Sequence, residues 1–268
     1  MKSILDQIQL KYQTLSNTEK KIADYVMQNN TTLLNIHIKE LAQQIDVSVA
    51  TITRFCRKVG ASGFVEFKIL LRDAVERRDE PHDAIETVDS IYQTIIKSTN
   101  SLTNIQDYKT ACSWVLDSEQ IHIYGLGSSG LSAQELKTRI ARMGLFVDTH
   151  IDSHAMIINA SILTERDVVI AISSSGQTKE IIEAINLAKQ KGARVISITN
   201  YSETDLANSS DLILYTASIQ HYLDKGFLNS QLSILISLDI LSMMLLQNER
   251  IYNKHNETLR ALHAYKKA

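Results

Sequence analysis

Two hydroxyl-rich stretches have the composition to hold a small anion. In SSSGQT (residues 173–178), Ser173, Ser174, Ser175, Gln177 and Thr178 surround one glycine and lead into the amphipathic run KEIIEAINLAKQK. A helix start offers unpaired N–H groups and the positive end of the helix dipole, so added hydroxyls there could cradle a phosphate monoester without a cationic side chain. The second stretch, GLGSSG (residues 125–130), follows the aliphatic run IHIY and places the Ser128 and Ser129 hydroxyls where the polar face of a sugar could be met. The same six residues form a G-x-G-x-x-G with Asp148 some twenty residues on, which is the dinucleotide fingerprint. That keeps an NAD(H)-binding redox sensor open as the alternative. Neither stretch has the Gly-Lys-Ser/Thr of a nucleoside-triphosphate loop. Serine and glycine clusters also simply make turns and caps, which explains one such loop better than two.

A third stretch has the pattern for contacting DNA. In IKELAQQIDVSVATITRFCRKVG (residues 38–60), Ile38, Leu41, Ala42 and Ile45 face inward on a first short helix. Asp46 falls at a sharp turn, a place where Asp tolerates a left-handed backbone. Ser48 can cap a second helix whose inward face is Val49, Ile52, Phe55, Cys56 and Val59. Its outer face carries Ala50, Thr51, Arg54, Arg57 and Lys58, with Thr53 on the flank. Short residues near the start allow approach to a major groove. Arg54 can then reach base edges, and Arg57 and Lys58 can hold phosphates. A bare helical hairpin with a charged outer face is the competing reading, and the combined turn, cap and inward pattern argues against it.

The elements that must position these residues follow from the rest of the chain. Its 268 residues suffice for two domains. Residues 1–77 read as an all-α helix-turn-helix domain, with TEKKIADYVMQ (residues 18–28) as a packing helix and Phe64 and Phe67 closing a small core. Residues 78–106 read as a linker and connecting helix, since the polar stretch RRDEPHDAIETVD holds the single proline. In residues 107–268 helical runs alternate with aliphatic runs at 121–124, 145–147, 168–172, 195–198 and 212–214. That alternation predicts a doubly wound parallel α/β sheet. FLNSQLSILISLDILSMMLL (residues 227–246) is long enough to span a membrane, but Asp239 and its serines mark it as a core or subunit-interface helix. Two cysteines without ligand spacing fit a reducing compartment and provide neither a disulfide scaffold nor a metal set. No cofactor is expected. Residues 1–72 hold ten Lys/Arg against six Asp/Glu although the whole chain carries −2, a distribution that suits a polyanionic partner.

These stretches together resemble the RpiR/MurR family of transcription regulators, in which a helix-turn-helix precedes a sugar isomerase (SIS) domain of flavodoxin/Rossmann-like fold. TITRFCRKVGASGFVEFK (residues 51–68) is similar to the family's DNA-binding signature. GLGSSG and SSSGQT are similar to the two SIS ligand loops, and DVVIAIS, GARVISIT and SQLSILISLD read as SIS segments. The resemblance implies a cytoplasmic, non-enzymatic regulator, a repressor of sugar or amino-sugar catabolism genes. Its partners would be a double-stranded operator of inverted-repeat form, a phosphorylated sugar effector and further copies of itself, as homodimer or homotetramer. Ser173, Ser175 and Thr178 would hold the phosphate, Ser174 and Gln177 would add contacts, and Ser128 and Ser129 would face the sugar. Isomerase chemistry needs a positioned base. His150, His154, His221, Glu135 and Glu180 are near enough in sequence to be considered, and none lies in a catalytic motif. His154 is retained as an extra ligand contact.

Overall fold

The computed structural model describes residues 3–75, 83–220 and 228–266. The chain divides into two units. The first comprises residues 1–102 with 201–203 and 217–230; the second comprises 103–200, 204–216 and 231–268. The polar stretch around Pro81 and His221 lie outside the described residues.

The first unit is helical: α1 (Ile4–Lys11), α2 (Asn17–Gln28), α3 (Asn30–Leu33), α4 (Ile38–Gln44), α5 (Val49–Lys58), α6 (Phe64–Ala74) and α7 (Ala84–Leu102). Serine sets where the first two helices begin. Ser3 with Asp6, and Ser16 with Glu19, form reciprocal capping boxes, each satisfying two N–H groups that a helix start leaves unpaired. Ile22, Val26, Leu41, Ile52, Phe55 and Phe67 close a core in which the Phe55 and Phe67 rings meet edge-on at 6.0 Å. Asp6 is buried and accepts hydrogen bonds from the Ser98 and Ser101 hydroxyls of α7. The carboxylate is thereby paired where an isolated charge would be costly. Helix α7, described from Ala84 to Leu102, lies in the stretch 78–106 expected to hold a linker and a connecting helix.

The second unit is a five-stranded parallel sheet in the order β2-β1-β3-β4-β5, from β1 (Gln120–Gly125), β2 (Val147–His150), β3 (Asp167–Ile172), β4 (Arg194–Thr199) and β5 (Leu212–Tyr215). Helices α9 (Ser128–Arg142) and α13 (Leu232–Leu245) join α8 (Ile105–Asp117) in the core on one face. Helices α10 (Ser153–Ile162) and α11 (Lys179–Gln190) cover the other. α12 (Asp205–Ser209) and α14 (Glu249–Tyr265) complete the unit.

One expectation needs correction here. The second strand lies at Val147–His150, not at 145–147. As an edge strand with a half-buried face it needs no aliphatic run, and Phe146, just before it, is 79% exposed. Helix α13 buries Ile234, Leu238, Leu241 and Leu245 in the core of its own unit, as expected of a core helix, and leaves Asp239 and Met243 exposed. Among the described residues no single helix is long and apolar enough to cross a membrane.

Candidate sites for DNA and for a phosphorylated ligand

The helix-turn-helix begins with α4, and Asp46 turns the chain with a positive φ of 53°. The Val47 N–H donates back to the Ala42 carbonyl at 2.9 Å and closes the turn. Ser48 then caps α5: its hydroxyl accepts the Thr51 N–H at 3.1 Å and contacts the Thr51 hydroxyl at 2.8 Å. Ile52, Phe55, Cys56 and Val59 are buried as expected, and burial pushes the Cys56 thiol up to about 12, so it is an inert core group. Val49 is 39% exposed instead of inward, because the first turn of α5 extends past the rim of the core.

The outer face of α5 differs along its length. Ala50 and Arg54 are exposed, and an Arg54 guanidinium N–H reaches the Thr51 hydroxyl at 3.4 Å. The Thr53 hydroxyl bonds back to the Val49 carbonyl at 3.0 Å, and Arg57 Nε donates to the Ser62 carbonyl at 3.3 Å. Lys58 is committed within the unit. Its ammonium donates to Glu19 and to the Thr14 carbonyl, both at 2.9 Å. Burial raises the Glu19 pKa, but the Lys58 and Ser16 hydrogen bonds outweigh it and hold the carboxyl below the usual range. Arg54 is therefore the cation on this face best placed for an outside acceptor.

The two hydroxyl-rich loops leave adjacent strands at one level. In the sheet register Gly125 is the partner of Ile172, so GLGSSG and SSSGQT both begin at the carboxyl edge, between strands roughly 5 Å apart. Their helices depart to opposite faces, and the strand order reverses here, which makes this the topological switch point where such sheets bind ligands. Gly125 is required by close approach: a Cβ there would lie 2.6 Å from the Ser129 carbonyl oxygen. Ser128 and Ser129 form the first turn of α9, Ser128 exposed and Ser129 buried.

In the other loop Ser173 is buried and its hydroxyl lies 3.1 Å from that of Thr178, the residue preceding α11. Ser175 and Gln177 are exposed, and the Gln177 N–H donates to the Ser175 hydroxyl at 3.2 Å. Ser174 Oγ is buried without a hydrogen-bond partner among the described residues. The first intrahelical bond of α11 runs from the Ile182 N–H to the Thr178 carbonyl, which leaves the amides of its first turn directed at the loop.

A further layer, not singled out from sequence, braces this loop. The Asn200 N–H donates to the Ser174 carbonyl at 3.2 Å, and the Leu206 N–H to the Gly176 carbonyl at 3.2 Å. Thr204 Oγ1 fills the space beside Gly176, whose φ is +65°. The run TNYSET after the fourth strand carried the same signal of polar residues at a strand end.

Groups for other chemistries are placed less suitably. Asp148, the acid of the dinucleotide fingerprint, is paired with Lys137 at 2.6 Å, which holds its pKa down. Glu135 is engaged by Arg139, which also binds Asp239. Glu180 is exposed on α11, and His154 is 90% exposed beside Asp152 at 3.8 Å. His150 and His122 lie 5.7 Å apart between their ring centres. Burial lowers the pKa of both, and neither His122 nitrogen has a partner among the described residues. Among those residues no group of three or more His, Cys, Asp or Glu could hold a metal.

A helix-turn-helix unit and a parallel sheet with two hydroxyl-rich loops at its switch point mark the class of a transcription regulator with a small-molecule module. Residues 2–78 match the model of the helix-turn-helix domain of the rpiR family, and residues 115–244 match that of the SIS domain. The chain is 30% identical over 273 residues to an HTH-type transcriptional regulator of Caldanaerobacter subterraneus, covering 98% of this chain and 95% of that one. It is 31% identical over 225 residues to the HTH-type transcriptional regulator HexR of Pseudomonas aeruginosa, covering 80% and 79%. The structure of Vibrio vulnificus NanR complexed with ManNAc-6P is similar with a TM-score of 0.64 at 25% identity, over 98% of both chains. This chain belongs to the RpiR family of helix-turn-helix transcriptional regulators.

Proposed function

We propose that this regulator senses a phosphorylated sugar in the crevice between residues 125–130 and 173–178, and that occupancy changes its affinity for an operator. The observation that carries the reading is the register of β1 against β3, which brings two hydroxyl-rich loops to one level at the switch point. The α11 amides and the Ser173, Ser174, Ser175 and Thr178 hydroxyls are the donors for the phosphate, Gln177 adds a contact, and Ser128 and Ser129 face the sugar. The Ser174 hydroxyl supports this assignment, since buried hydroxyls are rarely left without a partner and a ligand oxygen supplies one. The ManNAc-6P bound by NanR makes amino-sugar 6-phosphates the first compounds to test.

The reading is of a sensor, not an enzyme, because isomerisation needs a base positioned at the substrate, Glu135 is held in an ion-pair cluster, and Glu180 and His154 face solvent. The protein acts in the cytoplasm as a repressor of sugar or amino-sugar catabolism genes. On DNA, Ser48, Ala50, Thr51 and Thr53 allow approach, Arg54 reads bases and Arg57 holds a phosphate; Lys58 serves chiefly to anchor the end of α5. One such unit reads only a few base pairs, so a homodimer or homotetramer on an inverted repeat is the working form.

A thermal-shift screen of sugar phosphates, the parent sugars and NADH tests the reading, since a ligand of the native state raises the melting temperature. Sugar phosphates should stabilise the protein, and the unphosphorylated sugars and NADH should not. Stabilisation by NADH with silence across the sugar phosphates overturns it.

A further inference from the structure

Helix α10 is apolar on the side it buries and on the side it leaves outside. Met156 and Ala160 enter the core on one face of the sheet, with Leu163 just after the helix. At about 100° per residue, the opposite side carries Ile157, Ile158 and Ile162, with His154, Ala155 and Ser161 among them. Ile158 is 67% and Ile162 73% exposed. Residues 153–163 (SHAMIINASIL) contain no Asp, Glu, Lys or Arg. Helix α11, packed on the same face of the sheet, instead exposes Lys179, Glu180 and Glu183. A surface helix keeps a charged side for water, and one that is apolar all round is a buried helix. Just before α10, Ile151 lies against Gly130, and the exposed Leu131 follows, so the apolar surface continues onto the start of α9. Single exposed apolar residues are ordinary, whereas a contiguous patch marks an interaction site.

Three features select a second copy of the chain as the occupant. The two ends of α10 differ in charge. Asp152 caps its start through the Ala155 N–H, and Arg166, which also meets Glu119 at 2.5 Å, follows its end. Both side chains are more than half exposed, and Ile158 sits near the midpoint between them. Two copies laid antiparallel across a two-fold axis bring Asp152 toward Arg166 of the partner subunit at both ends, and set the positive end of each helix against the negative end of the other. The side chains also suit that symmetry. With Ile158 near the axis, Ile162 falls beside His154 and the short Ala155 of the partner subunit, where there is room for it. Finally, one DNA-reading unit covers only a few base pairs, so the chain needs a surface for its own copy. A stable interface buries about 800 Å² per partner, and the α10 face supplies the apolar centre of one.

We propose that two copies of this chain pair through the outer face of α10, the helices antiparallel across a two-fold axis that passes close to Ile158. The pairing rests on the dimeric working form inferred above and names the surface for it. It requires neither effector nor DNA, and both are left out of the test.

Light scattering of the full chain at micromolar concentration compares wild type with Ile158→Glu and Phe146→Glu. Phe146 is an equally exposed apolar residue ahead of β2, at the opposite edge of the sheet from the start of α10. A thermal melt verifies that each variant is folded, and Ile158→Ser is the milder change at the same position. Wild type and Phe146→Glu should share one mass, twice that of a single chain or a multiple of it, and Ile158→Glu and Ile158→Ser should have half of it. Ile158 variants of wild-type mass overturn the α10 face and leave the dimeric working form standing. A wild type of single-chain mass overturns both. A second arm tests the axis. Cys56 and Cys112 are buried, so Ile158→Cys supplies the reactive thiol, and mild oxidation should yield a covalent dimer that a reductant reverses. Glu183→Cys, on the exposed side of α11, should stay unlinked. Equal linkage of the two variants, or none in Ile158→Cys, overturns the axis at Ile158.

Discussion

Gly176→Ala tests whether the ligand loop is rigidly braced. The glycine has φ +65°, and a Cβ there would lie 2.4 Å from Thr204 Oγ1, 3.0 Å from Thr204 Cβ and 3.1 Å from Thr199 Oγ1. A left-handed backbone costs an L-residue about 1–2 kcal/mol. Forcing a methyl into a filled space costs about 1–3 kcal/mol more. The C-terminal unit should therefore lose roughly 2–5 kcal/mol, and at about 2–4 °C per kcal/mol its melting temperature should fall by roughly 4–20 °C. Thr204→Ala removes the nearest atom of the clash but also a hydroxyl that caps α12 through the Ala207 N–H, a loss worth about 1 kcal/mol. In the Thr204→Ala background, Gly176→Ala should cost at least about 1 kcal/mol less than in wild type, a coupling typical of touching residues. The assay is denaturant unfolding of the four proteins, followed by tryptophan fluorescence of Trp114 in α8 of the same unit. A Gly176→Ala protein within about 0.5 kcal/mol of wild type, the range of ordinary surface changes, would refute the bracing.

Arg54→Ala should weaken operator binding by about 1–3 kcal/mol and blunt sequence preference in a mobility-shift titration; unchanged selectivity would remove α5 as the reading helix. Lys58→Ala should lower the stability of the N-terminal unit, seen in its melt, and leave the salt slope of DNA binding nearly unchanged; a slope shallower by about one unit would mean that Lys58 binds a phosphate instead. Burial holds the His122 and His150 pKa values below the ordinary imidazole range, so the folded state keeps both rings neutral while the unfolded chain takes up protons below about pH 6.5. Their contribution is fully present above that pH and is lost as pH falls toward the folded values. The urea midpoint of wild type should drop below pH 6.5 more steeply than that of His122→Phe, and equal slopes would contradict the assignment.

Local rules made much of this molecule legible. The turn at Asp46, the Ser48 cap and the inward set of α5 follow from short-range chemistry, so sequence was sufficient. The interior strands β1, β3 and β4 are mostly apolar runs because both their faces are covered, and the edge strand β5 keeps the run LILY although it is only partly buried. β2 escaped that rule: Val147, Asp148, Thr149 and His150 pair on one side only and stay partly exposed. The wheel put Val49 inward because it carries no information on where a core ends. The neutralisation of Lys58 depends on Glu19, 39 residues earlier, and such a pairing exists only once the helices are packed. The bracing of the ligand loop by Asn200 and Thr204 was hidden for the same reason, although its polar residues were in view.

Operator affinity measured against sugar-phosphate concentration, for wild type and Ser175→Ala, tests the central claim most directly. Ser175 is exposed at the tip of the loop, so its loss should leave folding and ligand-free operator binding intact. Removing a charge-assisted hydrogen bond worth about 1.5–3 kcal/mol should shift the ligand midpoint by about ten- to a hundred-fold. Fluorescence anisotropy of a labelled operator, titrated with each sugar phosphate that raises the melting temperature, gives both quantities. The account predicts a wild-type response and a mutant response displaced to higher concentration. An operator affinity indifferent to every such compound, or an identical midpoint in the mutant, contradicts it.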